Sequence, residues 1–572
     1  MSRRVRQFLP LVLFAISAFL FLIADRAAYK GYFTADEINN MAFTRWGTTG
    51  DFVLDLLSPR FYANNYRPVG HFFFRTMGHA AGLNFPPYVA FLHIVHLANI
   101  ALLWLILRRF LLPFWAAVAG ALFFAFNMAV FDVYWKPMYV FDLLCGTFCL
   151  LSLLLWMNDR WLLSLVVMWL AYRSKEVAVM LPVALASWEF LLGRRRWLRL
   201  LPFFAISLWF GIQGVIAARN PAGYLFHYDL ASFWKAVLFY SSRLVLLPYD
   251  GLVLLPFLLL LPLLCPPLVR DRTVWCGAII FAALLTPMLL LSDRFFSAYL
   301  YVPLIGLSIA VAATAARQSL AVVAIAFALW IPWNYANLRW LRRDALSQAA
   351  DRRAYVATLA DLVHKQPGIT NFLYRDGPLE DWGAQSAIAW LHPGVDIHLA
   401  HEGNPDERPI LQAPALAVLH WNKVFHRLEP VIRTPSTPDL SYVEMGSYMP
   451  VWQLGPGWLP GEGLLRWTRP HATARLLRPA GATGFELVVA VSPLYNSKVP
   501  HSHVTLALNG RPVGSADFEH SGLQTVSWKI EKAPPGEAQL SFDTSPPYPG
   551  NDPLGIAVVS FGFLPKPPPA TP

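Results

Sequence analysis

Charge is scarce in this chain. Only 14% of its 572 residues are Asp, Glu, Lys or Arg, against about 25% in an average soluble protein. That shortage excludes an ordinary water-soluble globule, whose surface is covered largely by charged and polar groups. Cysteine is scarcer still, with four in the whole chain: Cys145, Cys149, Cys265 and Cys276. All four lie in apolar surroundings in the first half, so a disulfide scaffold is excluded. Cys145 and Cys149, four apart in an apolar run, read as small buried hydrophobes and not as metal or redox ligands. The polar second half contains none and relies on no disulfide.

Apolar residues are what the chain has in quantity. They make up 56% of it, aromatics alone 15%, and there are 22 Trp; mean hydropathy is +0.43. Aromatic rings gather where a bilayer meets water, so this is the composition of a membrane protein. The net charge of +11 comes from short Arg clusters between apolar runs: Arg3, Arg4 and Arg6; Arg108 and Arg109; Arg194, Arg195, Arg196 and Arg199; Arg270 and Arg272. Such spacing anchors loops at a membrane and does not track a phosphate backbone. No nucleic-acid partner is expected.

A helix needs about 20 mostly apolar residues to span a bilayer. Apolar runs fall at 8–24, 87–107, 111–130, 138–157, 161–171, 177–192, 198–218, 252–269, 274–291, 299–316 and 320–335, which gives about eleven spans by that length rule, the short run 161–171 needing help from its flanks. The first run is long for a signal peptide and lacks a following small-residue cleavage site, so it reads as a retained anchor. Residues 231–247 carry Lys235 and Arg243 on an amphipathic pattern and are expected to lie in the interface. With the basic amino terminus inside, every Arg-rich short loop falls inside as well. The remaining loops, and everything after the last span, then fall outside. This is the arrangement of a multi-pass bacterial inner-membrane protein with a periplasmic carboxy-terminal half.

The candidate chemistry lies on the outer side. The first outer loop, 25–86, contains Thr34-Ala35-Asp36-Glu37-Ile38-Asn39-Asn40, an acidic pair opening an amphipathic helix. Two readings stand: an acidic membrane-surface site, or a helix cap formed by Thr34 or Asp36. The same loop holds Asn64-Asn65-Tyr66-Arg67-Pro68-Val69-Gly70-His71, in which Arg67 is placed to bind phosphate or to snorkel. The second outer loop carries Asp132 at a membrane edge, where a carboxylate is expected to be functional or paired; Lys136, four residues on, is the available partner. The third is Tyr172-Arg173-Ser174-Lys175-Glu176. The fourth, Ser292-Asp293-Arg294-Phe295-Phe296-Ser297-Ala298-Tyr299, offers Arg294 to an anionic head group or to Asp293. Carboxylates to deprotonate a hydroxyl and cations to stabilise a leaving phosphate suit glycosyl transfer from a membrane-embedded lipid phosphate sugar.

These pieces resemble the GT-C superfamily of integral membrane glycosyltransferases, which includes the protein O-mannosyltransferases and TMTC-like enzymes. The resemblance covers residues 8–340. Asp36-Glu37 is similar to the superfamily's acidic pair in the first outer loop. Phe141-Asp142-Leu143-Leu144 is similar to the Asp/Glu-Leu-Leu ending of its second-loop segment, which places Asp132 on that segment's Glu, although Asn127-Met128 stands where the family has His-Pro. Ser174-Lys175-Glu176 matches a Ser-Lys-Glu segment. Arg294 with Tyr299-Leu300-Tyr301-Val302-Pro303 is similar to Arg-Tyr-Leu-Tyr-Leu-Pro, with extra residues after the Arg. The resemblance implies a polyprenyl-phosphate sugar donor, a glycan, lipid or protein acceptor, inversion, and Asp36 as catalytic base or metal-linked acid. Taken with the loop chemistry, the expected catalytic residues are Asp36, Glu37 and Asp132, and the expected substrate-binding residues Arg67, His71, Lys136, Lys175, Glu176, Arg294 and Tyr299. No certain cofactor follows; some relatives use a divalent Mg or Mn, for which Asp36 is the candidate ligand.

The expected architecture is therefore a polytopic α-helical, GT-C-like membrane domain over 1–340, an extracytoplasmic mixed α/β segment over 341–447, and a jelly-roll-like β-sandwich over 448–572. The middle segment shows a helix at 344–364 and strands at 371–374 and 395–399 around a helix at 384–390. Beyond it, strands are expected at 472–477, 484–491, 503–508, 524–530, 538–542 and 555–563, with Asn509-Gly510 as a hairpin turn. Trp458, Trp467 and Trp528 serve as sugar-stacking platforms or as core aromatics. Two other functions are open to such a chain: a transporter or flippase of lipid-linked sugar, and a non-catalytic scaffold whose exterior domain does the binding. Transporters place ionisable groups near the midplane between repeats, whereas these gather at loop ends and no repeat is visible.

Overall fold

A computed structural model describes residues 3–62, 65–217, 226–245, 266–291 and 294–565. The chain divides into two compact units, Met1–Arg353 and Ala354–Pro572.

The first unit is helical, because its apolar runs can satisfy their backbone groups in a bilayer only within helices. Among the described residues six helices are long and apolar enough to cross a membrane: Phe8–Lys30, Pro86–Arg109, Pro137–Met157, Trp197–Ile216, Arg272–Leu289 and Leu320–Lys365. Three shorter apolar helices, Phe114–Val130, Trp161–Ser174 and Leu304–Ala315, lie among them. The expected span at 177–192 contains an eleven-residue helix, Leu181–Leu191, and the one at 252–269 falls mostly outside the described residues. The expected interfacial segment is the helix Leu230–Val245. Small residues draw helices together where apolar driving force is weak. A Cβ on Gly306 would lie 2.3 Å from Phe281 N, and one on Gly277 2.5 Å from Ala310 N, so the helices carrying them touch backbone to backbone.

The loops sort into two groups by their contacts. Asp159 pairs with Arg196 and, at 2.5 Å, with Arg199, and Asp271 pairs with Arg317 at 2.9 Å. The other group is tied by Glu37 to Met138, Arg67 to Glu176, and Lys175 to Tyr299.

The second unit starts within the 46-residue helix Leu320–Lys365 and is otherwise mostly sheet. Strands β1 (Asn371–Tyr374), β2 (His398–His401), β3 (Leu416–Asn422) and β4 (Arg427–Arg433) form a sheet of order β2-β1-β3-β4. β1 is parallel to β2 and β3, and the helix Asp381–Leu391 makes the crossover from β1 to β2. Ten further strands follow: β5 (Tyr442–Glu444), β6 (Trp458–Glu462), β7 (Leu465–Thr468), β8 (His471–Arg478), β9 (Gly484–Val491), β10 (Ser502–Leu508), β11 (Arg511–Phe518), β12 (Gly522–Lys529), β13 (Gly536–Ser545) and β14 (Ala557–Leu564). They build two sheets, β11-β10-β13-β8 and β12-β9-β14-β7-β6 with β5 on β14. One core lies between the sheets, from Leu506 and Phe542 on one to Leu487 and Phe561 on the other. Asn509 and Gly510 take φ of 49° and 77°, the paired left-handed turn expected of Asn-Gly. β9 has the expected bounds, whereas β2 begins three residues later than the predicted 395–399. Trp458 stacks on Phe561 at 5.7 Å and Trp467 on Tyr495 at 5.7 Å, so both rings pack inward. Arg375 and Arg466 reach Glu402 from two sides at 2.8 and 2.7 Å and fasten the mixed sheet β2-β1-β3-β4 to β7.

Candidate functional site

The first unit forms an open cavity of about 310 Å³. Its walls come from the loop after the helix Thr49–Leu57, the end of Trp161–Ser174, the helix Leu201–Ala217, the end of Arg272–Leu289, and Tyr299. Most of the lining is apolar, including Phe61, Val179, Met180, Phe210 and Leu291. Among the described residues the charged lining groups are Arg67, Arg173, Lys175 and Glu176.

Local sequence explains how these groups reach one place. Pro68 opens the helix Pro68–Ala81 and leaves Arg67 as its extended N-cap residue, φ −129° and ψ 98°. The Arg67 side chain gives Nε and Nη2 to the two oxygens of Glu176 at 2.8 and 2.9 Å, and its guanidinium lies 5.2 Å from the centre of the Phe141 ring. Burial alone would raise the Glu176 carboxyl, but the Arg67 guanidinium outweighs it and holds it below the usual carboxylate range. Extended backbone at Lys175 ends the helix Trp161–Ser174. Its Nζ lies 2.6 Å from Asp142 Oδ2 and 4.3 Å from the centre of the Tyr299 ring. Arg173 turns the other way and donates to the carbonyls of Arg60, at 2.8 Å, and of Asp55.

Of the predicted residues, then, Arg67, Lys175, Glu176 and Tyr299 come together on one cavity. His71 is buried behind it. Its Nδ1 lies 3.0 Å from the backbone N and O of Arg67, so it holds the turn that presents Arg67. Burial pushes the His71 imidazole down to about 4.

The acidic predictions form a second group. Asp36 is half-buried in the first turn of the helix Ala35–Thr44 and does not line the cavity. Thr34 is the N-cap of that helix, and its backbone N–H donates to Glu37. Glu37 is wholly buried and also accepts the Met138 N–H at 2.9 Å. Its burial raises it above the usual carboxylate range, against those hydrogen bonds. Asp132 pairs with Lys136 at 2.8 Å. Tyr139 is buried in the short turn Pro137–Tyr139 that precedes the helix Val140–Met157. Arg294 is half-buried and follows Leu291, a lining residue, but does not itself line the cavity; Asp293 is outside the described residues.

Sequence reasoning gave no role to Asp142 or Arg173. A lone carboxylate in an apolar span was the available signal for Asp142. Nothing in the string Tyr172-Arg173-Ser174-Lys175-Glu176 says which cation faces which wall. For a metal at Asp36 the donors are wanting: among the described residues no three His, Cys, Asp or Glu gather to hold an ion, and both Glu37 oxygens accept backbone N–H groups.

Neither a protein-family model nor a curated protein matches the chain. Among solved structures, the arabinofuranosyltransferase AftD from mycobacteria is similar at a TM-score of 0.43 and 11% identity, over 98% of this chain and 58% of that one. The chain thus spans less than two thirds of that protein's length.

Proposed function

We propose that the chain is a membrane glycosyltransferase that takes a sugar from a polyprenyl-phosphate-linked donor and passes it, with inversion, to a hydroxyl of a glycan, lipid or protein outside the cytoplasm. The observation that carries this reading is the cavity itself. Apolar walls suit a lipid tail, and Arg67 and Lys175 meet at one place in the lining to receive its phosphate. In this reading the helices of the first unit form a GT-C-like membrane domain and the sandwich a jelly-roll-like periplasmic module. The contact groups among the loops support that topology, because loops assigned to one side by charge pair only with each other in the contacts given above.

The acceptor oxygen attacks the anomeric carbon from the face opposite the phosphate. The bond from that carbon to the phosphate oxygen breaks, and its electron pair leaves with the phosphate. Arg67 and Lys175 stabilise the charge that builds there. The acceptor proton goes to a carboxylate, for which Asp36 is assigned, with Asp132 beside Lys136 helping to position the acceptor.

Transfer is tested in membranes with polyprenyl-phosphate sugars, comparing wild type with Asp36→Asn. General-base loss is expected to lower turnover by about 10²–10⁴-fold; unchanged turnover removes Asp36 from the mechanism. Asp142, a carboxylate within a spanning helix, favours a second reading as a carrier of the same lipid. Flux of donor without covalent transfer would select that reading.

A further inference from the structure

Two ion pairs meet beside the cavity, and they are sealed to different degrees. The side chains of Lys175 and Asp142 are 7% and 3% exposed, whereas those of Arg67 and Glu176 are 15% and 35% exposed. The four charges lie in one another's fields. Arg67 holds Glu176 through two parallel N–H groups, the same fork that guanidinium offers to two oxygens of a phosphate. Glu176 also lines the cavity.

We infer that Glu176 is a built-in stand-in for the donor's phosphate: an anionic lipid head group entering the cavity takes over the Arg67 fork, and Glu176 is displaced into the lumen. This rests on the reading of the cavity as a donor site. Only this pair exchanges. Parting Lys175 from Asp142 would strand a sealed charge, whereas Arg67 and Glu176 are the more open pair and both line the cavity, where an incoming anion and the lumen can receive them. The stand-in keeps Arg67 oriented by Glu176 while the cavity is empty. It also opposes retention of the product, since transfer converts a phosphodiester into a more highly charged monophosphate that must leave.

The test measures binding of farnesyl phosphate, with farnesol as the uncharged control, to the full-length protein in detergent. Glu176→Gln is expected to bind farnesyl phosphate about fivefold more tightly than wild type, the upper end for one partly exposed ion pair, with farnesol unchanged. Glu176→Ala serves as a second variant with the same expectation. Arg67→Gln is expected to weaken binding and to abolish the gain from E176Q. If wild type binds farnesyl phosphate and both Glu176 variants bind it equally or less well, the exchange is overturned while the donor cavity stands. If neither wild type nor the variants bind it saturably, the donor reading falls and the exchange falls with it.

Discussion

The ammonium of Lys175 lies 2.6 Å from Oδ2 of Asp142, and both side chains are almost wholly buried. The pair ties the end of one apolar helix, Trp161–Ser174, to the first turn of another, Val140–Met157. Tyr299 covers it at 4.3 Å. A charge removed from water to this extent is tolerable only with its partner in place.

Asp142→Asn leaves the ammonium without a counter-charge. Thermal or denaturant unfolding of the purified protein in detergent is expected to show a loss of about 3–5 kcal/mol. Replacing both residues, as Asp142→Asn with Lys175→Met, is expected to restore most of that stability while leaving transfer abolished. Equal losses for the single and double variants would show that the pair is not what matters at this place.

His71 gives the first unit a dependence on pH. Buried against Arg67, its imidazole is pushed down to about 4 from 6.5. Below 6.5 the unfolded chain takes up a proton that the folded chain refuses, so stability falls as pH drops from 6.5 to 4. The fall reaches about 3 kcal/mol from this group alone. Unfolding measured across that window is expected to show the slope in wild type and a shallower one in His71→Gln.

Gly70 leaves room for an aromatic ring. A Cβ there would lie 2.1 Å from Phe141 Cδ1, and Phe141 lies under the Arg67 guanidinium. Gly70→Ala is expected to cost about 1–3 kcal/mol through overpacking. Because Phe141 supports Arg67, the same variant is expected to raise the KM for donor. A KM equal to wild type, with stability lowered, would separate the ring from donor binding.

What could be read in advance follows from the physics of each element. Apolar runs of bilayer length declare spans without any knowledge of neighbours, and helices accordingly stand at Arg3–Ala24, Pro86–Arg109 and Val140–Met157. Alternation declared β9, whose burial pattern is strictly two-fold. It was mute for β3, whose first four residues, Leu416–Leu419, are all buried, because a strand covered on both faces does not alternate. β11 carries Pro512 and Gly514, which blur its pattern at the sheet edge. At the site, the loops advertised their charges, but pairing is a property of three dimensions. Thus the Asp132–Lys136 pair was visible at i,i+4, while Arg67–Glu176 and Lys175–Asp142 join residues 109 and 33 apart.

The most direct measurement is a structure of the full chain with polyprenyl phosphate bound. The phosphate is expected in the cavity, within hydrogen-bond reach of Arg67 and Lys175, with Glu176 turned away from the Arg67 fork. A phosphate held elsewhere, with the Arg67–Glu176 pair unbroken and the cavity free of lipid, would contradict it.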